Sequence, residues 1–360
     1  MKQLLHWTIL MPSFAWALYF SGLIPNNNFF QTIASILLIL SVISGVHHSE
    51  VIALRVGEPY GTIILAIAIT VIEVSIIISL MISGGDDTVS LARDTVYSAT
   101  MLILNGIVGF CLFIGGLKHY EQTFSQNSVT IALVSLVSII VLTLVVPTFT
   151  NSIHGSYYSK PQLIFASFAC IIIYSFFLFA QTKRHREYFL PKELSENSQQ
   201  GEEEEIIGTN FLLVYSIIFL FVSLGIVVLL AKTLSPKIEQ IIINYNLPLA
   251  LVGVAIAAII LLPEGLAAII AARKNKLQTS LNLSLGSALA SIGLTIPSVA
   301  AVCVIYDMKI ILGLDIKSII LLGLSVFTVM LSLSRGRTNI VYGVVLIVNL
   351  FAFIFFIIYP

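Results

Sequence analysis

The sequence predicts an all-α polytopic membrane protein of about eleven transmembrane helices, one N-terminal helix followed by two inverted five-helix repeats. Three observations carry this expectation. Hydrophobic residues make up 58% of the 360 and charged residues 10%, with a mean hydropathy of +1.02, whereas roughly a quarter of a soluble domain is charged. Apolar runs of spanning length recur along the whole chain, separated by polar clusters. Two of these runs, Gly61–Leu80 and Pro248–Ala272, each carry a glutamate, Glu73 and Glu264, and neither contains a Lys or Arg.

The runs fall near residues 4–24, 29–46, 61–82, 95–117, 129–149, 161–181, 209–231, 248–272, 281–305, 318–333 and 339–359. The first opens on Met-Lys-Gln-Leu-Leu-His-Trp, which resembles a signal peptide. No clean small-residue cleavage site follows and Asn26-Asn-Asn reads as a loop, so residues 1–27 are expected to be an extra, uncleaved span. Runs two to six, residues 28–181, form the first repeat. A polar stretch, residues 182–208, is the linker, and runs seven to eleven, residues 209–360, form the second repeat. Five is odd, so equivalent helices cross in opposite directions, the inverted topology of many secondary transporters. Run three then corresponds to run eight and run four to run nine, which sets Glu73 opposite Glu264.

Twelve of the 18 Lys and Arg lie on the side holding the N-terminus and the linker. That side is therefore expected to be cytoplasmic, with the C-terminus outside, in a bacterial inner membrane. The net charge of +0 offers no basic field for nucleic acid. The bilayer is the expected partner, and no cofactor is called for. Cys111, Cys170 and Cys303 all fall within runs and read as small apolar core residues.

A carboxylate at the bilayer centre costs about 2.5 kcal/mol or more. A proton, a cation or another helix must offset that, so Glu73 and Glu264 are the leading ion- and proton-binding candidates. The structural alternative, a protonated carboxyl that fixes helix packing, explains one such residue better than two in equivalent spans. Pro263 and Gly265 flank Glu264, and an interrupted helix beside an ionisable residue points to a transporter site.

Hydroxyls and amides on the same runs are weaker candidates. Thr70 lies one turn before Glu73. Asp94, Ser98 and Asn105 share a face of run four, and Ser284, Ser287, Ser291 and Thr295 share a face of run nine. Such stripes either line an ion path or let helices pack closely. Glu58 at the entry to run three is a helix-end acid or an ion-entry residue, Asp94 an N-cap or path residue, and Asn282 a coordinating or packing amide. His47 and His48 read as residues closing run two. Glu202–Glu205 reads as a solvated tether, and Arg335-Gly-Arg-Thr-Asn339 as a tight turn anchoring orientation.

At these residues the chain resembles the cation/calcium exchanger superfamily, and within it the ChaA-type bacterial calcium/proton antiporters. Ala53-Leu-Arg-Val-Gly-Glu-Pro-Tyr-Gly61 followed by Ile-Thr-Val-Ile-Glu73-Val-Ser is similar to the first alpha repeat, and Leu261-Leu-Pro-Glu264-Gly with Leu285-Gly-Ser-Ala288 to the second. The Gly-Asn that precedes each glutamate in the vacuolar-type exchangers is Ile69-Thr70 and Ile260-Leu261 here, so both amide ligands are replaced. The resemblance implies an antiporter moving calcium, or sodium or potassium, against protons. Glu73 and Glu264 would be its metal and proton sites, Thr70 and Ser287 weaker ligands, and Glu58 an entry residue. A monovalent cation/proton antiporter is the rival within transport, and an intramembrane enzyme using the two carboxylates the rival outside it. The Gly-x-Gly-Asp of an aspartyl-type membrane protease is absent.

Overall fold

Backbone amides cannot stay unpaired in hydrocarbon, so so apolar a chain must satisfy them within helices. The computed structural model describes residues 2–24, 27–56, 60–84, 88–151, 155–189, 210–244, 248 and 250–359. Its helices are α1 (Lys2–Phe20), α2 (Asn28–Val56), α3 (Tyr60–Gly84), α4 (Leu91–Met101), α5 (Val108–His119), α6 (Gln126–Ile140), α7 (Lys160–Phe179), α8 (Arg186–Phe189), α9 (Asn210–Asn244), α10 (Ala250–Arg273), α11 (Leu277–Ile305), α12 (Ile316–Leu333) and α13 (Ile340–Ile358). Strands β1 (Gln122–Thr123) and β2 (Arg337–Thr338) pair antiparallel. Among the described residues, eight helices are long and apolar enough to cross a membrane, and a ninth joins them if the two arms of α10 count as one span.

Several spans are irregular. A π-helical segment, Leu102–Ile107, joins α4 to α5, and the span begun by α6 continues through π and 3-10 turns to Phe149. Helix α10 bends by 53° between Ala250–Leu262 and Glu264–Arg273. Pro263 sits at that bend, and a proline cannot donate the i to i−4 hydrogen bond that would keep the helix straight.

The chain forms two compact units, one of α1, α2, α3 and α9, the other of the remaining helices. In the first, α2 packs on α1, α3 and α9, with Ala15, Ala34, Leu37, Ile226 and Leu230 forming the core shared with α1 and α9 and Ile52, Ala68 and Leu220 the one shared with α3 and α9. Trp16 Nε1 donates to Val222 O at 3.0 Å, and Ser44 Oγ donates to Thr8 O at 2.5 Å. His47 and His48 do not close α2, which runs on to Val56. His48 is buried, with Tyr215 and Phe219 of α9 at ring-centroid distances of 6.1 and 5.7 Å. Continued helix propensity through Ser49–Val56 carries the helix past the histidines.

In the second unit α5 packs on α13, α11 on α7, and α10 on α4. Small residues allow close approach. A Cβ on Gly116 would stand 2.7 Å from Ile340 N, one on Gly293 3.1 Å from Tyr174 Cβ, and one on Gly253 2.8 Å from the Asp94 carbonyl carbon. At one end of α6, β1 pairs with β2, and Phe124 N donates to Gly336 O at 3.0 Å. At its other end Tyr157 bridges Ile311, and Leu314 N donates to Leu144 O at 2.9 Å. The three cysteines are free and buried.

Phe165, Phe168, Ile172 and Phe176 of α7 and Ile320, Leu324, Phe327 and Leu331 of α12 stay exposed. Apolar faces of that extent are a liability in water and the normal surface in lipid. The protein is a multi-pass membrane protein.

Candidate ion-binding site

Glu264 opens the second arm of α10, immediately after the bend, and is 9% exposed. The Ser287 hydroxyl of α11 donates to its Oε2. Gly265 brings this part of α10 against the π-helical segment, since a Cβ there would lie 3.3 Å from Ile107. Tyr174 of α7 is buried within electrostatic reach of Glu264. A carboxylate and a hydroxyl on neighbouring helices thus meet where a helix is broken, a donor set of hard oxygens that suits a cation such as calcium or sodium. The other oxygens of such a shell would come from water or further residues.

Ser291, one turn beyond Ser287, is buried, as is Thr295 beyond it. The Thr295 hydroxyl has no hydrogen-bond partner among the described residues. Ser284 instead donates to Ser280 O within its own helix at 2.8 Å. In the first unit Glu73 is 3% exposed on α3, and Thr70, one turn before it, is 6% exposed. Glu73 and Glu264 belong to different units.

The other sequence candidates occupy varied places. Asp94 is not the N-cap of α4: Ser90 is, and its hydroxyl donates to Asp94 Oδ2 at 3.0 Å. Apolar burial starts at Leu91, so the helix begins earlier than the run suggested and Asp94 falls inside its first turn. Arg93 Nε stands 2.8 Å from Asp94 Oδ1. Asn105 lies in the π-helical segment, fully buried, and its Nδ2 donates to Ser325 Oγ of α12 at 2.8 Å. Asn282 is engaged at both ends of its amide, donating to Phe189 O at 2.6 Å and accepting from Gln278 Nε2 at 2.8 Å. Glu58 and Glu202–Glu205 lie outside the described residues. Among the described residues no three His, Cys, Asp or Glu gather as a metal-binding group.

Sequence reasoning missed the part played by Tyr174, which is one aromatic among many in its run. It also missed Gln278, whose Oε1 accepts from Ser125 N at 2.5 Å and whose Nε2 donates to Ser128 Oγ at 2.8 Å, tying α11 to α6. A glutamine opening an apolar helix was the only available signal.

The profile of the sodium/calcium exchanger protein family matches residues 28–183 and 215–359. The chain is 39% identical over 345 residues to y4hA of Sinorhizobium fredii, whose name describes an ionic transporter, covering 94% of this chain and 92% of that one. It is 32% identical over 311 residues to the sodium-potassium/proton antiporter ChaA of Escherichia coli, covering 86% and 84%. In fold it is similar to native YfkE, with a TM-score of 0.73 at 16% identity over 98% of this chain and 100% of that one. It is also similar to the H+/Ca2+ exchanger CAX, with a TM-score of 0.70 at 12% identity over 97% and 87%.

Proposed function

Because this chain belongs to the sodium/calcium exchanger family, we propose that it is a secondary antiporter that exchanges cytoplasmic calcium for protons through Glu73 and Glu264, with sodium or potassium as candidate alternative cations. It is a transporter of that family, not an enzyme. The observation that carries the reading is the Ser287 hydroxyl on Glu264 at the bend of α10. Two carboxylates neutralise one divalent ion or take up protons, so cation and proton compete by charge balance. Either load neutralises the pair and lets it cross the apolar barrier, which a doubly charged empty pair resists.

The inverted repeat is part of the proposal. With α4–α5 equivalent to α11, α6 to α12 and α7 to α13, the contact of α5 with α13 has its counterpart in that of α11 with α7. The β1–β2 pairing has its counterpart in the Tyr157–Ile311 bridge at the other end of α6. The two family-matched segments leave out residues 1–27 and the linker region, which supports α1 as an addition to two five-helix groups. We place the protein in the bacterial inner membrane with the N-terminus and linker cytoplasmic and the C-terminus outside. Thr70, Ser291 and Glu58 are proposed as further path residues.

A second reading, sodium/potassium–proton exchange without calcium, is favoured by the name of the Escherichia coli relative and by the replacement of both amide ligands by Ile69-Thr70 and Ile260-Leu261. One experiment separates the readings. Proteoliposomes with an imposed pH gradient should lose it on addition of calcium, and Glu73→Gln and Glu264→Gln should abolish the response. Collapse by sodium or potassium alone selects the second reading, and proton movement that persists in both variants overturns the role of the glutamates.

A further inference from the structure

The face of helix 91–119 that carries Asp94, Ser98 and Asn105 is turned to α12 and α13. A cavity of about 160 Å³ lies there, lined by Arg93, Asp94 and Ser98 together with Asp315, Lys317 and Leu321 of the α12 end and Phe353 of α13, so two cations stand beside its two carboxylates. Asp94 is nine-tenths buried at this cavity and is held by two groups, the Ser90 hydroxyl and Arg93 Nε. Arg93 Nη1 also donates to Gly313 O at 3.1 Å. Gly313 is fixed in turn, since its N donates to Ser156 O at 3.2 Å and a Cβ would stand 2.7 Å from Ser156 Cβ. The guanidinium is therefore anchored to a rigid collar while it neutralises a buried carboxylate.

Tyr97 closes the inner side of the cavity, donating its hydroxyl to Ser318 O at 3.2 Å and packing on Phe353, and Asn105 and Ser325 lie beyond it along the same helix pair. Ser325 lies one turn below Leu321 and gives its own hydroxyl hydrogen to Leu321 O at 2.8 Å. It can only accept from Asn105, which fixes the amide orientation and leaves Asn105 Oδ1 buried without a hydrogen-bond partner among the described residues. A bare amide oxygen in a dry interior is costly unless water or a cation meets it. The π-helical turn that presents it is a distortion that recurs at functional sites.

We propose that this seam between the fourth span and α12 is an access route for the transported cation, in which Arg93 is a tethered counter-cation that an entering ion displaces from Asp94, with Asn105 Oδ1 the next oxygen along the path. The ligand is a partly hydrated alkali or alkaline-earth cation. The proposal rests on the antiporter reading, and in the orientation proposed above the cavity opens to the outer side.

Arg93→Gln removes the cation paired with Asp94, leaving Lys317 as the other cation at the cavity, and makes the Asp94 carboxylate available. In oriented proteoliposomes the cation KM on the cavity side should fall several-fold, while the KM on the opposite side stays constant. Asp94→Asn should raise the cavity-side KM, and Arg93→Gln combined with Asp94→Asn should show no fall. Asn105→Leu should raise that KM and Asn105→Asp should favour calcium over potassium. If Arg93 is only a tether, Arg93→Gln will lower thermal stability with both KM values unchanged, and the access route is refuted. Failure of the antiporter reading is distinguishable, because native protein would then move no protons with any cation.

Discussion

Ser287 on α11 donates its hydroxyl hydrogen to Oε2 of Glu264 on α10, directly after the 53° bend in α10. The hydroxyl lies on a face of α11 that also carries Ser291 and Thr295, so the carboxylate faces a polar stripe on a neighbouring helix.

Ser287→Ala removes a hydrogen bond to a charged group, a contribution of about 1.5–3 kcal/mol. That contribution belongs to the ion-free protein and should appear as a lower Tm, while loss of the hydroxyl oxygen from the binding set should raise the cation KM, with proton coupling retained. Tracer uptake against cation concentration measures it. A KM unchanged from native would remove Ser287 from the binding set.

Pro263→Ala restores a backbone donor at the bend. The variant should insert and unfold at close to the native temperature while transport falls, since a straighter α10 moves Glu264 relative to Ser287. Size-exclusion profile, Tm and initial transport rate report on this together, and native transport by a folded variant would make the bend dispensable.

Close helix packing in the second unit predicts an asymmetry between glycines. Gly116→Ala would push a methyl to 2.7 Å from Ile340 N, an overpacking cost of about 1–3 kcal/mol. Gly323→Ala meets nothing within 4 Å and should be neutral or raise stability by up to about 1 kcal/mol through reduced backbone entropy of the unfolded chain. Thermal unfolding in detergent compares the two.

Lys160 Nζ stands 2.7 Å from Asp307 Oδ1 and holds that carboxyl below its ordinary range, first through the hydrogen bond and then through charge. A depressed carboxylate contributes stability above its unfolded value and loses it as pH falls through the folded one. Both side chains are largely exposed, at 66% and 82%, so the effect is small and screened by salt. The Tm difference between native protein and Lys160→Gln should be slight at neutral pH and vanish in acid and in high salt. A difference that grows on acidification would contradict the pair.

Much of this was legible in the sequence because a bilayer leaves few choices. Length and hydropathy mark each span, and a charge within one is costly enough to stand out, which is why Glu73 and Glu264 are visible without coordinates. Ser287 was also legible, as a hydroxyl on a stripe. Asn282 and Asp94 were ambiguous for a physical reason: an amide or carboxylate at a helix end serves capping, packing or binding equally well until its partners are known. The histidines were misplaced because the apolar run stops at them while the helix continues to Val56.

The sequence by itself determined where the chain is helical, since in hydrocarbon each backbone polar group must find a partner within its own segment. Tertiary structure alone decided which helices meet. Grouping α1, α2, α3 and α9 apart from the rest draws each unit from both halves of the chain. Turning Asp94 and Asn105 toward α12, and bringing Ser287 to Glu264, depends on contacts between residues far apart in sequence. Helix periodicity fixes which residues share a face, but the neighbour that face meets is set by side-chain packing across the bundle, and no local pattern encodes it.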